Sequence, residues 1–326
     1  MGWSGSLNAS SALGSSITFT PDTSAQGEYT VSSFTAPRKG VYRFTLKGSG
    51  GAPYVESGGK GGSTVGYLLL EKNQTVYVGA GGTCSAAFVS SQTGTKLSAI
   101  AKSALYLVAG AGGSSGGSEN TSTDYTGFSA GGDGGGSIGT DADNGGKGGT
   151  QSAGGAGYGG KADGTLPGDG SYGTGGSAGS DISTTVGWAY GGRGGDGYYG
   201  GGGGAADAST NSTSGMTGMY GYGGGGGSSY IANTTLTVLS NTYTSTTTTG
   251  GGAASGGNGS VVVTYYARAE LPIIFNGTRL ERLIFNGTEI ESLIFNGTTL
   301  FIERIKRRLI EWSTLTRTVR RSRIPI

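Results

Sequence analysis

The sequence predicts a mainly β protein, in which a β-sandwich contains a long glycine-rich insertion and is followed by β-hairpin repeats and a short basic helix. Three observations predict this architecture. Residues 1–109 contain short β-rich segments that are bounded by Gly, Pro, Asn or Ser. Gly makes up 53 of the 150 residues from 110 to 259. A decapeptide with a central Asn-Gly occurs three times in residues 271–300.

The sandwich strands are predicted from composition and from one clear alternation. Tyr42, Phe44 and Leu46 are separated by polar residues, which is the period-two pattern of a strand with one solvent-facing side. The last predicted strand lies far downstream of the others, so the domain of residues 1–266 has to enclose an insertion at about 110–259. The predicted strands are Ile17–Thr20, Tyr29–Thr35, Val41–Lys47, Val65–Glu71, Thr75–Val78, Leu105–Ala109 and Ser260–Tyr266.

The insertion holds only nine Leu, Ile, Val or Phe residues, so side-chain burial cannot order it. Its glycines recur at three-residue spacing, as in Gly191, Gly194 and Gly197, which is the period of a polyproline-II-type helix. Collagen is excluded because the insertion has a single proline, Pro167, and no unbroken Gly-X-Y run. Extended glycine helices can pair through their backbones, and a flexible Gly/Ser linker is the alternative. Ten Tyr residues and Trp188 favour the ordered interpretation.

Catalytic and metal-binding signals are weak throughout the chain. His is absent, which removes the commonest general base and the commonest metal ligand. Cys84 is the only cysteine, which excludes an intrachain disulfide. Gly191–Tyr199 matches one calcium-binding nonapeptide, but a calcium roll needs tandem copies. We therefore expect no enzyme activity, no cofactor and no metal site. No run of about 18 apolar residues occurs, so no membrane span is expected.

The three decapeptides, 271–280, 281–290 and 291–300, each predict a β-hairpin. Asn-Gly between apolar runs favours a type I′ turn, because both central residues of that turn need a positive φ. One such hairpin cannot bury its Ile-Phe pair, so the copies are expected to stack or to contact another chain. The predicted turn residues are Asn276, Gly277, Asn286, Gly287, Asn296 and Gly297. The predicted docking residues of the repeats are Ile274, Phe275, Ile284, Phe285, Ile294 and Phe295.

Residues 301–326 form a strongly basic tail. It holds eight basic and two acidic residues, whereas the rest of the chain holds 14 basic and 18 acidic residues, so the net charge of +2 hides two parts of opposite sign. Apolar residues three and four apart predict an amphipathic helix. We expect this helix to dock onto an acidic protein partner, and the alternatives are a nucleic acid, a membrane surface or a simply solvated helix. No nucleic-acid-binding motif accompanies the charges, so no such partner is expected. The docking residues predicted here are Arg304, Arg307, Arg308 and Trp312.

Five motifs occur in the order seen in glycine-rich domains: Gly40–Leu46, Gly58–Gly62, Gln74–Gly82, Leu107–Gly113 and Tyr222–Ser228. In this order the chain resembles glycine-rich domains of the anaplastic lymphoma kinase receptor family and similar modules of bacteriophage tail adhesins. The resemblance implies a jelly roll like that of tumour necrosis factor, with a hexagonally packed bundle of polyglycine-II helices inserted into it. The receptors also carry a membrane span and many disulfides, which this sequence lacks, so the phage comparison is preferred. The tandem Ile-Phe-Asn-Gly-Thr units resemble appendages of phage and prophage structural proteins.

Two functions remain open from the sequence. The first is a virion adhesin, a fibre or tail-tip protein whose glycine-rich platform binds a host-surface glycan or protein. The second is a purely structural head-fibre, decoration or tail subunit. Both place the chain on the phage particle with other virion proteins as partners. In both, the chain is expected to form a homo-oligomer, and a trimer is one option. Rigid aromatic rings of the insertion are the candidate receptor contacts, and packing against the glycine backbone is the equal alternative. These residues are Trp188, Tyr190, Tyr198, Tyr199, Tyr220 and Tyr222.

Overall fold

The computed structural model describes residues 2–120, 126–158, 165–184, 187–210 and 217–269, together with six short strands between residues 273 and 301. The chain divides into two compact units, Met1–Ala269 and Glu270–Ile326. Strands account for 38% of the protein and helix is almost absent from the described part, so the mainly β prediction is confirmed.

The first unit contains strands β1 to β19 in chain order. They span Gly2–Gly5, Ser16–Thr20, Tyr29–Thr35, Gly40–Lys47, Ser63–Leu70, Thr75–Gly81, Ala87–Ser90, Leu105–Ala109, Gly117–Asn120, Thr126–Phe128, Ile182–Thr184, Gly187–Tyr190, Ala206–Thr210, Thr217–Gly221, Tyr230–Ile231, Thr235–Val238, Asn241–Thr244, Thr246–Thr248 and Ser260–Arg268. Two short 3-10 turns, Leu97–Ala99 and Lys102–Ala104, lie between β7 and β8. Each of the seven strands expected from the sequence is present, with ends that differ by a few residues.

Two antiparallel sheets share the main hydrophobic core. The six-stranded sheet has the order β1-β2-β19-β4-β5-β18, and the five-stranded sheet has the order β15-β8-β7-β6-β3. The alternation expected in β4 is present, because Tyr42, Phe44 and Leu46 are fully buried whereas Lys47 is exposed. The last strand, β19, lies between β2 and β4, so the chain on both sides of the glycine-rich region builds one sheet.

The glycine-rich segments bond to one another through their backbones without forming regular strands. The Gly113 amide donates to the Gly132 carbonyl at 2.9 Å, the Gly132 amide to the Gly224 carbonyl at 2.9 Å, and the Gly224 amide to the Ser114 carbonyl at 2.9 Å. Three segments are thus joined pairwise. The segment 48–62 also takes part, since the Gly59 amide donates to the Gly113 carbonyl at 2.8 Å.

Close backbone approach explains why these positions are glycine. A Cβ atom on Gly113 would lie 2.1 Å from the Gly224 carbonyl oxygen, and one on Gly225 would lie 2.1 Å from the Lys147 carbonyl oxygen. Neither distance leaves room for a methyl group. The three-residue spacing in the sequence therefore corresponds to backbone packing rather than to left-handed turns.

The insertion also contains two small three-stranded sheets, which the sequence analysis did not predict. Their orders are β11-β12-β9 and β10-β14-β13. Ala189, Ala206 and Met219 form a small buried cluster with residues from both sheets. The antiparallel pairs β11–β12 and β13–β14 are short and rich in Gly, Ser, Thr and Ala, so their sequences carry little β signal.

The second unit contains three two-stranded antiparallel sheets, one in each decapeptide. They pair Ile273–Phe275 (β20) with Thr278–Leu280 (β21), Leu283–Phe285 (β22) with Thr288–Ile290 (β23), and Leu293–Phe295 (β24) with Thr298–Phe301 (β25). Outside the described residues lie the six predicted Asn-Gly turn residues, the side chains of the Ile-Phe docking pairs, and the tail with Arg304, Arg307, Arg308 and Trp312.

Candidate binding site

The six candidate aromatic residues are distributed over separate places in the first unit. Trp188 and Tyr190 lie on β12, while Tyr198 and Tyr199 lie in a glycine-rich segment beside Tyr172 and Lys102. Tyr220 lies on β14 and Tyr222 just after it, next to Tyr158. They therefore do not form one continuous surface, and each group has to be considered by itself.

Trp188 and Tyr190 occupy the outer face of the sheet β11-β12-β9. Ala189 between them is fully buried in the small cluster with Met219, so the strand alternation places the two rings on the opposite face. Their rings are stacked, with centroids 4.9 Å apart and planes inclined by only 6°. Both side chains are half-buried. The stacked pair lies on the face of the sheet opposite to the small buried cluster.

Two residues that the sequence analysis did not single out complete this surface. Tyr54 packs edge-on against Tyr190, with ring centroids 4.4 Å apart, and is 49% exposed. Glu119 lies directly opposite Trp188 on β9, and its carboxylate accepts a 2.9 Å hydrogen bond from the indole Nε1. We call the row of Tyr54, Tyr190 and Trp188 the aromatic strip. Pro53-Tyr54-Val55, an apolar run in a turn, was the sequence signal that could have identified Tyr54.

The geometry of the aromatic strip is fixed by its surroundings. The Ser115 hydroxyl accepts a 2.9 Å hydrogen bond from the Tyr54 amide, which anchors that loop. The Tyr190 ring covers Gly117, where a Cβ atom would lie 2.4 Å from the ring. Burial raises the pKa of Tyr190, and Tyr54 and Asp181 raise it further, so its hydroxyl stays neutral at ordinary pH. A rigid aromatic row bordered by the carboxylates of Glu119 and Asp181 can stack on a flat ligand and accept its hydrogen bonds.

Tyr198 and Tyr199 belong to a half-buried cluster around the exposed Lys102. The Lys102 ammonium lies 4.5 Å from the Tyr199 ring centre and 4.8 Å from that of Tyr172, and it donates a 2.5 Å hydrogen bond to the Tyr199 hydroxyl. Tyr198 is stacked on Tyr230 with centroids 4.2 Å apart. These contacts join the glycine-rich region to the segment before β8.

Tyr220 and Tyr222 also contact neighbouring parts of the fold. The Tyr222 ring stacks on Tyr158 with centroids 4.4 Å apart, and burial is the largest cause that raises the pKa of Tyr222. The Tyr220 ring covers Gly127 and Gly218, where added Cβ atoms would lie 2.3 and 2.7 Å from it. Both residues are half-buried, and glycine provides the space for their rings.

Asp196, which occupies the acidic position of the calcium-type nonapeptide, is bound by protein donors. Its Oδ1 accepts 2.8 Å hydrogen bonds from Arg193 and from the Gly175 amide, and its Oδ2 accepts a 2.7 Å bond from the Tyr29 hydroxyl. Asp196 is only 2% exposed. Burial favours a lower pKa for Arg193, but Asp196 and then Cys84 outweigh it, so the pKa of Arg193 is raised. The carboxylate therefore joins the sandwich to the glycine-rich region.

No protein-family model matches the chain, and no curated protein matches it. Among the described residues, none of the helical segments is long and apolar enough to cross a membrane.

Proposed function

We propose that the protein is a structural component of a bacteriophage virion, a fibre or tail-tip adhesin that binds the host surface through the aromatic strip. The observation that carries this proposal is the aromatic row itself, in which Tyr54 is exposed and Trp188 and Tyr190 are half-buried. Trp188 and Tyr190 lie outside the small core, and Tyr54 extends the row from a distant loop. Recognition surfaces are usually built on loops and sheet faces that a rigid scaffold holds in place.

The scaffold that we propose is a jelly roll like that of tumour necrosis factor, with an inserted bundle of polyglycine-II helices. Support for the bundle comes from the segment 222–229. Its amides and carbonyls bond to Ser114, Gly132, Thr140, Gly195 and Gly202, which belong to five different segments. A strand has two hydrogen-bonding neighbours, whereas a three-fold extended helix directs its backbone groups to all sides. Such a bundle is a stiff platform for the aromatic strip.

We further propose that the second unit attaches the protein to the particle. Each decapeptide forms only a three-residue antiparallel pair, as in Ile273–Phe275 with Thr278–Leu280. An isolated hairpin of this length is marginally stable in water. The repeats are therefore expected to gain stability against other virion proteins or further copies of the chain, through the Ile-Phe pairs and the basic tail.

The adhesin proposal is tested by binding of the purified full-length protein to a panel of bacterial cells. We expect the unaltered protein to bind some strains and to block infection of them. Trp188→Ala should weaken binding about tenfold, because it removes the largest rigid ring of the row. Tyr266→Ala is the matched control, since Tyr266 is 40% exposed on the six-stranded sheet. Equal binding by the two variants, or no binding by the unaltered protein, would contradict the proposal.

A purely structural subunit is the second candidate. The hairpins of the second unit favour it, because particle assembly without host binding is enough to explain them. Deletion of residues 271–326 separates assembly from recognition. In the adhesin case the shortened protein still binds cells but is not incorporated into particles. If the full chain is incorporated and binds no cell, the structural candidate replaces the adhesin. Unchanged incorporation of the shortened chain would contradict the docking role.

A further inference from the structure

The aromatic strip also indicates the chemical class of its ligand. We propose that it binds uncharged hexopyranose units of a bacterial surface polysaccharide, with Trp188 and Tyr54 against the sugar and Glu119 accepting hydrogen bonds from its hydroxyls. This inference rests on the proposed adhesin function and narrows it to a saccharide receptor.

The shape of the aromatic strip fits a flat ligand. Tyr190 covers one face of the Trp188 indole in a nearly parallel stack, and Tyr54 meets Tyr190 edge-on. The three rings form a row and enclose no central space. Pyranose rings present a flat face of C–H groups, which can pack on the indole face that Tyr190 does not cover and on the exposed Tyr54 ring. Glu119 already holds the Trp188 ring and Ser115 holds the backbone of Tyr54, so the entropy lost on binding is reduced.

The charges beside the aromatic strip favour a neutral sugar over an anionic one. Glu119 is exposed, and one of its oxygens accepts the Trp188 N–H. A carboxylate has about four acceptor positions, so it can also take bonds from sugar hydroxyls. Asp181 adds a second carboxylate near Tyr190, where it contributes to the raised pKa of that residue. Two negative charges disfavour phosphate, sulfate and sialic acid groups at this place.

A quaternary ammonium group is the competing ligand class, because aromatic rings and carboxylates also attract cations. The protein shows what such a cation site looks like at Lys102, whose ammonium has the Tyr172 and Tyr199 rings around it at 4.8 and 4.5 Å. The aromatic strip differs, since its two largest rings lie face to face at an inclination of 6° and cannot surround a cation. The observed arrangement therefore favours a sugar ring.

Binding can be followed with the full chain through Trp188 fluorescence. The protein has three Trp residues, so Trp3→Phe with Trp312→Phe leaves Trp188 as the single indole. The probes are neutral, sialylated and phosphorylated bacterial oligosaccharides, and choline. We expect saturable changes in emission with some of the neutral oligosaccharides and none with choline. A response confined to charged oligosaccharides, or to choline, would overturn the inference.

Single substitutions in the otherwise unaltered full-length chain then assign the contacts, by glycan-array and calorimetric measurements. Trp188→Ala should weaken neutral-glycan binding about tenfold, whereas Trp188→Tyr retains most of it because a ring is kept. Glu119→Gln should weaken it by a smaller factor, since the amide still accepts hydrogen bonds but has lost its charge. Tyr266→Ala serves as the control and should bind normally. Unchanged glycan binding by Trp188→Ala would overturn the inference.

Periodate oxidation of the target cells separates failure of this inference from failure of the adhesin proposal. Oxidation destroys vicinal diols of surface sugars and leaves most protein receptors in place. We expect the unaltered protein to lose binding to oxidised cells. Retained binding that still depends on Trp188 overturns the saccharide inference and leaves the adhesin function standing. Absence of binding to any untreated cell contradicts the adhesin function itself.

Discussion

Arg193 and Asp196 form a buried ion pair at the junction between the sandwich and the glycine-rich region. The Arg193 guanidinium and the Asp196 carboxylate are 2.8 Å apart. The hydroxyl of Tyr29, on β3, donates a further hydrogen bond to the carboxylate. A buried charge without partners costs several kcal/mol, so these three side chains specify how the two regions meet. Cys84 lies in the same region, where burial raises the pKa of its thiol and keeps it protonated.

Buried tyrosine hydroxyls make the stability of the protein sensitive to alkaline pH. Burial raises the pKa of Tyr42 from 10.0 to about 12, and it raises the pKa of Tyr29 well above 10.0, with Asp196 as the next cause. A folded-state pKa above the unfolded value gives stability that is complete below pH 10 and is lost as the pH rises through the folded value. Between pH 10 and pH 12, the ionisation of Tyr42 should lower the free energy of unfolding by about 1.4 kcal/mol per pH unit.

Tyr42→Phe tests this prediction by chemical denaturation between pH 8 and pH 12. Below pH 10 the variant should be less stable by about 1 kcal/mol, because Tyr42 donates a 2.8 Å hydrogen bond to the Arg38 carbonyl. As the pH rises further, the difference should shrink and then reverse, since phenylalanine does not ionise. A difference that stays constant to pH 12 would show that Tyr42 does not titrate in this range.

At the scale of elements, the glycine segments replace side-chain packing with backbone packing. The segment 222–229 illustrates this, because its backbone bonds to six other segments, that of Gly146 and Gly149 included, and it contains no large apolar side chain after Tyr222. Its hydrogen bonds satisfy the backbone groups that burial removes from water. The contribution of this backbone packing to the free energy of unfolding is sensitive to a single added methyl group, because the partner atoms are backbone atoms that cannot rotate away.

Gly225→Ala is the substitution that measures this sensitivity. The new Cβ would lie 2.1 Å from the Lys147 carbonyl oxygen, so neighbouring segments have to separate. We expect a loss of about 2 kcal/mol or more in the free energy of unfolding. Gly251→Ala is the matched control, because its closest atom would be a side-chain carbon at 3.3 Å. Equal unfolding temperatures for the two variants would contradict backbone packing at Gly225.

At the scale of the whole molecule, the first unit is ordered in two ways. The paired sheets bury apolar side chains such as Phe44 and Val78. The insertion instead buries backbone groups that are hydrogen-bonded to one another. Hydrogen exchange distinguishes this arrangement from a flexible linker. We expect amides in Gly110–Gly204 that donate to buried carbonyls, such as Gly132 and Gly195, to exchange as slowly as those of β4. Rapid exchange throughout that range would indicate a disordered insertion.

Much of the architecture could be predicted because it depends on local pattern. The alternation in β4 and the β-rich composition of β3 and β8 identified those strands with little error. Strand β7, Ala87–Ser90, and the small sheets were missed, since their sequences are short and rich in small residues. Their strand character comes from pairing with neighbouring strands rather than from propensity.

The candidate site was predictable only in part. Trp188 and Tyr190 were identified as aromatic residues in a region of small ones, and their shared face follows from strand alternation. Tyr54 and Glu119 could not be joined to them, because three chain segments far apart in sequence meet there. Nor could the sequence distinguish Trp188 from Tyr198, whose ring is stacked on Tyr230.

The amino-acid sequence by itself determined how the sheets and the described glycine-rich segments are ordered. Apolar alternation requires side-chain burial in a sheet, and glycine at every third position permits backbone contact at distances that any Cβ would prevent. Tertiary structure alone decided which partners surround each aromatic ring. That outcome depends on long-range neighbours, such as Lys102 beside Tyr199 and Glu119 beside Trp188, which no local pattern specifies.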